Sequence, residues 1–166
     1  MVKKLFYLLI ILLSTITLSS CTFSTSGESL EAFSKRMNEI NESYNMTSEG
    51  YIIDTEKCEL TKFFKFNQKE IMLNFRYDKK HRLNEMNIVF EPAILDESPE
   101  ALTFIENCIK CFIQNEKIEK NILNATDFNN AIKEINMKTI SAEADNIKME
   151  IDTTNLGTVV TTYRDI

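Results

Sequence analysis

The sequence predicts an α+β domain in which an antiparallel sheet packs against helices, and two observations support this class. Apolar residues recur every three or four positions in some segments and alternate with polar residues in others, as in helices and strands. The predicted strands and helices also fall in separate runs, which argues against alternating βαβ units. We expect a meander of about four strands plus a C-terminal hairpin, packed against about three helices.

The first predicted helix follows Ser29 or Ser26, either of which can cap it. Its apolar side chains are three or four positions apart and form one stripe, at Leu30, Phe33, Met37, Ile40 and Tyr44. Such a stripe fits a helix that lies across its own sheet. A helix that binds a partner or forms a coiled coil is the alternative.

Four strands are predicted after Gly50, at residues 51–55, 60–66, 71–77 and 83–90. In the third of them the apolar side chains share one face, at Ile71, Leu73, Phe75 and Tyr77. The polar joins at 67–69 and 78–82 leave room only for hairpins, so the strands are antiparallel. We expect this sheet to have one buried face.

The second predicted helix opens with Ser98, Pro99 and Glu100, which supply a cap, a proline at the first helical position and an acid near the helix N-terminus. It runs to about Asn115, and its apolar side chains cover so much of its circumference that we expect it to be the central core helix.

The C-terminal part is predicted to contain one more helix and two strands. The helix runs from residue 126 or 127 to about 136, with Phe128, Ala131, Ile132 and Ile135 facing inward. The strands, at 147–152 and 158–164, form the C-terminal hairpin.

Composition limits the classes of function. A chain of 166 residues with 43% hydrophobic residues fits one globular domain. Its 19 Lys and Arg against 25 Asp and Glu give a net charge of -6, so no nucleic-acid partner is expected. The three glycines lie far apart and form no phosphate-binding loop, and we expect no cofactor.

Residues 1–20 have the pattern of an export signal. Lys3 and Lys4 precede an apolar run over residues 5–13, and small or hydroxylated residues follow it. A membrane-spanning helix needs about 20 apolar residues, and serines and threonines interrupt this run early. The alternative is an uncleaved N-terminal anchor.

Leu18, Ser19, Ser20 and Cys21 resemble the lipobox of bacterial lipoproteins. The resemblance covers residues 1–21 and implies cleavage between Ser20 and Cys21, with diacylglycerol on the Cys21 sulfur and palmitate as the acyl chain. It implies a lipid anchor on the extracytoplasmic face of the cell membrane, where two or more acyl chains give stable attachment.

The resemblance extends no further than Cys21, so the exported part is interpreted from its own residues. Residues 21–28 are rich in Ser and Thr, which is typical of a flexible tether. We expect residues 29–166 to form a single α+β domain.

Cys108 and Cys111 have the Cys-x-x-Cys spacing of thiol oxidoreductases. In those enzymes the reactive sulfur lies at a helix N-terminus, where its pKa is lowered. Here both cysteines lie well inside the predicted central helix on its apolar side, which favours core packing. The remaining Cys58 and the lone His81 are too few to complete a zinc site, and no metal site is expected.

Four acids cluster around the loop from Pro92 to Pro99, namely Glu91, Asp96, Glu97 and Glu100. Such a cluster can bind a divalent cation or supply the acid/base pair of a glycosidase-like hydrolase. Helix capping and solubility explain the same residues. Because His81 lies in a predicted hairpin turn, no Ser-His-Asp set is evident. The sequence therefore favours a protein- or ligand-binding module of the cell envelope. A small envelope enzyme, either a carboxylate-based hydrolase or a thiol oxidoreductase, is the alternative.

Overall fold

The computed structural model describes residues 29–47, 49–133, 138–154 and 156–164. The expected signal peptide (1–20) and tether (21–28), with Ser20 and Cys21, lie outside the described residues. Within the described ranges, no helix has the length and apolar character needed to cross a membrane.

The described ranges contain five α-helices, one short 3-10 turn and seven strands. The helices are α1 (Leu30–Ile40), α2 (Ala93–Glu97), α3 (Pro99–Ile113), α4 (Glu116–Ala125) and α5 (Phe128–Ala131), and the 3-10 turn is Glu42–Tyr44. The strands are β1 (Ile52–Asp54), β2 (Glu59–Phe66), β3 (Lys69–Tyr77), β4 (Leu83–Phe90), β5 (Thr139–Ala144), β6 (Ile147–Thr154) and β7 (Gly157–Arg164).

All seven strands form one antiparallel sheet with the order β1-β2-β3-β4-β7-β6-β5. The α+β class is therefore confirmed, but the predicted C-terminal hairpin is a three-stranded meander because β5 precedes it. The inward side chains of β5 are Ile140, Ala142 and Ala144. Two alanines give too weak an apolar alternation to predict a strand, which is why the sequence pattern missed β5.

The expected number of about three helices is also corrected. Helix α4 was not predicted, although the Asn115 side chain caps it by accepting hydrogen bonds from the backbone N–H groups of Lys117 (3.1 Å) and Ile118 (3.2 Å). The helix predicted up to about residue 136 is observed only as α5, and residues 134–137 lie outside the described residues.

Helix α3 is the central core helix, as predicted. The Phe104 ring is fully buried, and its centroid lies 4.7 Å from Phe64, 5.2 Å from Phe66 and 5.1 Å from Tyr44. Phe64 and Phe66 belong to the face of the sheet that the helices cover, which we call the core face. The predicted alternation also holds, since Ile71, Leu73 and Phe75 are buried on this face.

Replacement of Phe104 by alanine tests the central position of α3. Loss of a fully buried ring should lower the free energy of unfolding by about 3–5 kcal/mol, measured by urea denaturation. Phe63→Ala is the matched control, because Phe63 is 48% exposed, and it should cost less than about 1 kcal/mol. Equal effects of the two substitutions would contradict this assignment of the core.

Candidate functional site

The structure places Cys108 and Cys111 in the core. Cys108 is fully buried and Cys111 is 3% exposed. Burial raises the pKa of both thiols, so little reactive thiolate forms near neutral pH. Cys58, at a turn before β2, is half-buried, and all three cysteines are free. The geometry fits core packing for the Cys-x-x-Cys pair.

The acidic cluster does not form a catalytic pair either. Asp96 and Glu97 are exposed and belong to the short helix α2. The ammonium of Lys69 lies 3.0 Å from Glu97 Oε1 and 3.7 Å from Glu91 Oε2, and the hydrogen bond with Glu97 raises the pKa of Lys69. Among the described residues, no three side chains are grouped so as to hold a metal ion.

Glu100 lines a groove of about 670 Å³ at one edge of the sheet. Three parts of the chain line this edge groove: the segment after α1, the second half of β2 and the first turn of α3. The lining residues are Asn41, Ser43, Tyr44, Asn45, residues 62–67, Pro99, Glu100 and Thr103.

The edge groove exists because β1 is shorter than β2. β1 pairs only with residues 59–61. Within the described part of the chain, residues 62–66 of β2 therefore have β3 on one side and no strand on the other. The chain before β1 does not continue the ladder. At Gly50 it has a φ of 79°, a conformation that glycine adopts readily.

Lys62 fixes the chain segment that precedes β1. Its ammonium donates to the backbone carbonyl oxygens of Glu49 (3.1 Å), Asn45 (3.3 Å) and Thr47 (3.5 Å). It also lies 5.1 Å from the centroid of the Tyr51 ring, and burial lowers the pKa of Lys62. Lys62 therefore ties residues 45–49 to β2 and holds one side of the edge groove in place.

The groove combines aromatic rings with amides. Phe64 and Phe66 come from β2 and Tyr44 from the 3-10 turn, while Asn41, Asn45 and Asn67 supply the amides. Of the described residues that line it, Glu100 alone carries a carboxylate. A glycosidase of the usual kind needs two carboxylates flanking the bond, so the lining suits binding better than hydrolysis.

The face of the sheet opposite the helices, which we call the open face, carries an ordered row of polar side chains. Asn74 Nδ2 donates to Thr61 Oγ1 (2.9 Å), and Thr161 Oγ1 donates to Asn87 Oδ1 (2.7 Å). On the next row Arg76 lies between Glu59 (3.1 Å) and Glu85 (3.2 Å). These side chains form hydrogen bonds and ion pairs with one another across the strands, which stabilises the sheet.

Comparisons with protein-family models, with curated proteins and with solved structures give no match to this chain. The chemistry of the site is therefore inferred from its geometry.

Sequence reasoning named Glu100 but missed Lys62, Phe66 and the groove that they line. One signal was present, since the predicted first strand (51–55) is shorter than the second (60–66), and a strand without a full-length neighbour leaves a free edge.

Thiol labelling tests the placement of the cysteines. In the native protein, an alkylating reagent should modify Cys58 first and should reach Cys108 and Cys111 only at the rate of unfolding. The measurement is modification against time by mass spectrometry, with and without urea. A Cys58→Ser variant is the control and should show no fast phase. Fast native modification of Cys108 would support the thiol oxidoreductase instead.

Proposed function

We propose that the protein is a bacterial lipoprotein, held by a lipid on Cys21 at the extracytoplasmic face of the cell membrane, and that its domain acts by binding. The partner is a protein or another ligand of the cell envelope. The edge groove is the observation that carries the binding role. It offers aromatic rings and amides in a concave surface, which is how binding sites are usually built.

The lipobox resemblance supports the anchoring half of this proposal. Residues 1–21 combine a cationic start, an apolar run and Leu18-Ser19-Ser20-Cys21. The tether that follows would let the domain stand away from the bilayer, so that the groove is free to meet a partner.

The catalytic alternatives receive less support from the geometry. Thiol chemistry needs an accessible thiolate, whereas Cys108 and Cys111 are buried with raised pKa values. Hydrolysis by a carboxylate pair needs a second acid beside Glu100, and the described lining of the groove does not provide one.

Crosslinking on intact cells tests both halves of the proposal. The wild-type protein should carry a lipid label and should recover a specific crosslinked partner. The Cys21→Ala variant is the control: it should lose the lipid label, leave the membrane fraction and lose the crosslink. Continued lipid labelling of this variant would contradict anchoring through Cys21.

A different result would contradict the proposed binding role of the domain. If no partner is crosslinked and neither a wall polymer nor a small ligand raises the melting temperature of the domain, the domain does not act by binding. A rise in melting temperature with a wall polymer alone would exclude a protein partner and retain a ligand-binding role.

A further inference from the structure

We propose that the edge groove binds an extended polypeptide segment, which adds to the sheet as a strand beside residues 62–66 of β2. This inference rests on the proposed binding role and names the class of partner. Two independent features of the structure carry it: the direction of the backbone groups in β2 and the position of the groove beside them.

The β2–β3 turn sets the direction of the backbone groups in β2. Phe66 pairs with Lys69 across a two-residue turn. In such hairpins the closing pair exchanges both backbone hydrogen bonds, and bonded pairs then alternate along the ladder. Lys62, Phe64 and Phe66 therefore bond to β3. Phe63 and Lys65 direct their N–H and C=O groups to the other side of β2, beyond the Ile52–Thr61 pair at which the ladder with β1 stops.

An added strand would form its backbone hydrogen bonds with these outward N–H and C=O groups. No backbone hydrogen bond from the described loops reaches Phe63 or Lys65. A row of unpaired N–H and C=O groups is a template for a further strand, and many peptide-binding domains use it in this way. The free part of β2 has five residues (62–66), which is about 16 Å of strand.

Lysines on an edge strand often prevent such pairing, but here both are engaged elsewhere. The Lys62 ammonium is held by the carbonyl groups of residues 45–49. The Lys65 ammonium lies 3.7 Å from Glu70 Oε1 on β3. Both ammonium groups are therefore paired within the protein.

The groove determines which side chains the added strand should carry. Phe64 and Phe66 lie on the core-face side of β2, and Tyr44 lines the groove on the same side. Side chains of an added strand alternate between the two faces, so every second residue enters this aromatic part of the groove. We infer a partner segment of about five residues with apolar side chains at alternate positions.

The opposite edge of the sheet supplies an internal control. β5 is also an edge strand. Its Ala144 closes the two-residue turn to β6 by pairing with Ile147, so Ser141 directs its backbone groups outward by the same alternation. A proline at Ser141 thus removes an outward N–H without touching the groove.

The test uses the mature lipidated protein in detergent micelles, with linear seven-residue peptides selected on it from a phage-displayed library as the probe. Proline at an outward edge position is tolerated by a sheet but removes the donor that an added strand needs. Lys65→Pro should weaken peptide binding at least about tenfold. Lys65→Ala removes the same side chain but keeps the N–H group, so it should bind at least about fivefold more tightly than Lys65→Pro. Ser141→Pro lies outside the groove and should bind within about twofold of wild type.

Hydrogen exchange on the wild-type protein is a second test of the inference, and it does not require Lys65→Pro to fold. Bound peptide should slow amide exchange at Phe63 and Lys65 at least about tenfold. Binding by Lys65→Pro that equals binding by Lys65→Ala, or protection confined to β5 or to the open face, would overturn the inference.

A wall oligosaccharide that occupies the groove when no peptide does so would also overturn the inference, yet it would leave the proposed binding role intact. Absence of any partner or ligand in the intact-cell experiment would instead overturn the binding role itself.

Discussion

The packing of α3 against the core face of the sheet is the contact on which the rest of the structure depends. Eight residues of this helix are buried, among them Phe104, Ile105 and Phe112. Each large apolar side chain that is buried contributes about 1.5–3 kcal/mol. The same burial explains why Cys108 and Cys111 are part of the core, because a cysteine on the buried side of α3 is withdrawn from solvent.

The two ends of α3 have different roles. At its C-terminal end Arg36 Nη2 donates to the carbonyl oxygen of Cys111 (3.0 Å), and the guanidinium of Arg164 donates to that of Phe112. Positive charge at this end is favourable because of the helix dipole, and the contacts join α1, α3 and β7. At its N-terminal end Pro99 and Glu100 line the edge groove. The helix is therefore fixed at one end and contributes to the candidate site at the other.

Strong local patterns could be read from the sequence. The alternation of apolar residues in β3 and β4 predicted both strands, and the wide apolar surface of α3 predicted the central helix. β5 was not predicted because two of its three inward side chains are alanines, whose small apolar surface gives a weak strand signal. The predicted α+β class is correct although β5 was missed, because an additional antiparallel edge strand leaves the order of layers unchanged.

The candidate site was harder to predict because it depends on where the pairing between β1 and β2 stops. The sequence predicts a first strand of five residues, shorter than the second, and the observed β1 is shorter still, with three residues. That length depends on Gly50 and on the contact of Lys62 with carbonyl groups 13 to 17 residues earlier in the chain. Glu100 was named for its charge in an acidic cluster. In the structure it lies with the aromatic and amide groups of the groove instead.

Site-specific photo-crosslinking in living cells tests the central claim most directly, namely that a tethered domain binds a polypeptide at the free edge of β2. The photoreactive residue benzoylphenylalanine replaces Phe63 in one variant and Ser141 in another. We expect a discrete protein adduct from position 63 that requires an intact Cys21, and no such adduct from position 141. An adduct from position 141 alone, or no adduct from position 63 when the protein is correctly anchored, would contradict this claim.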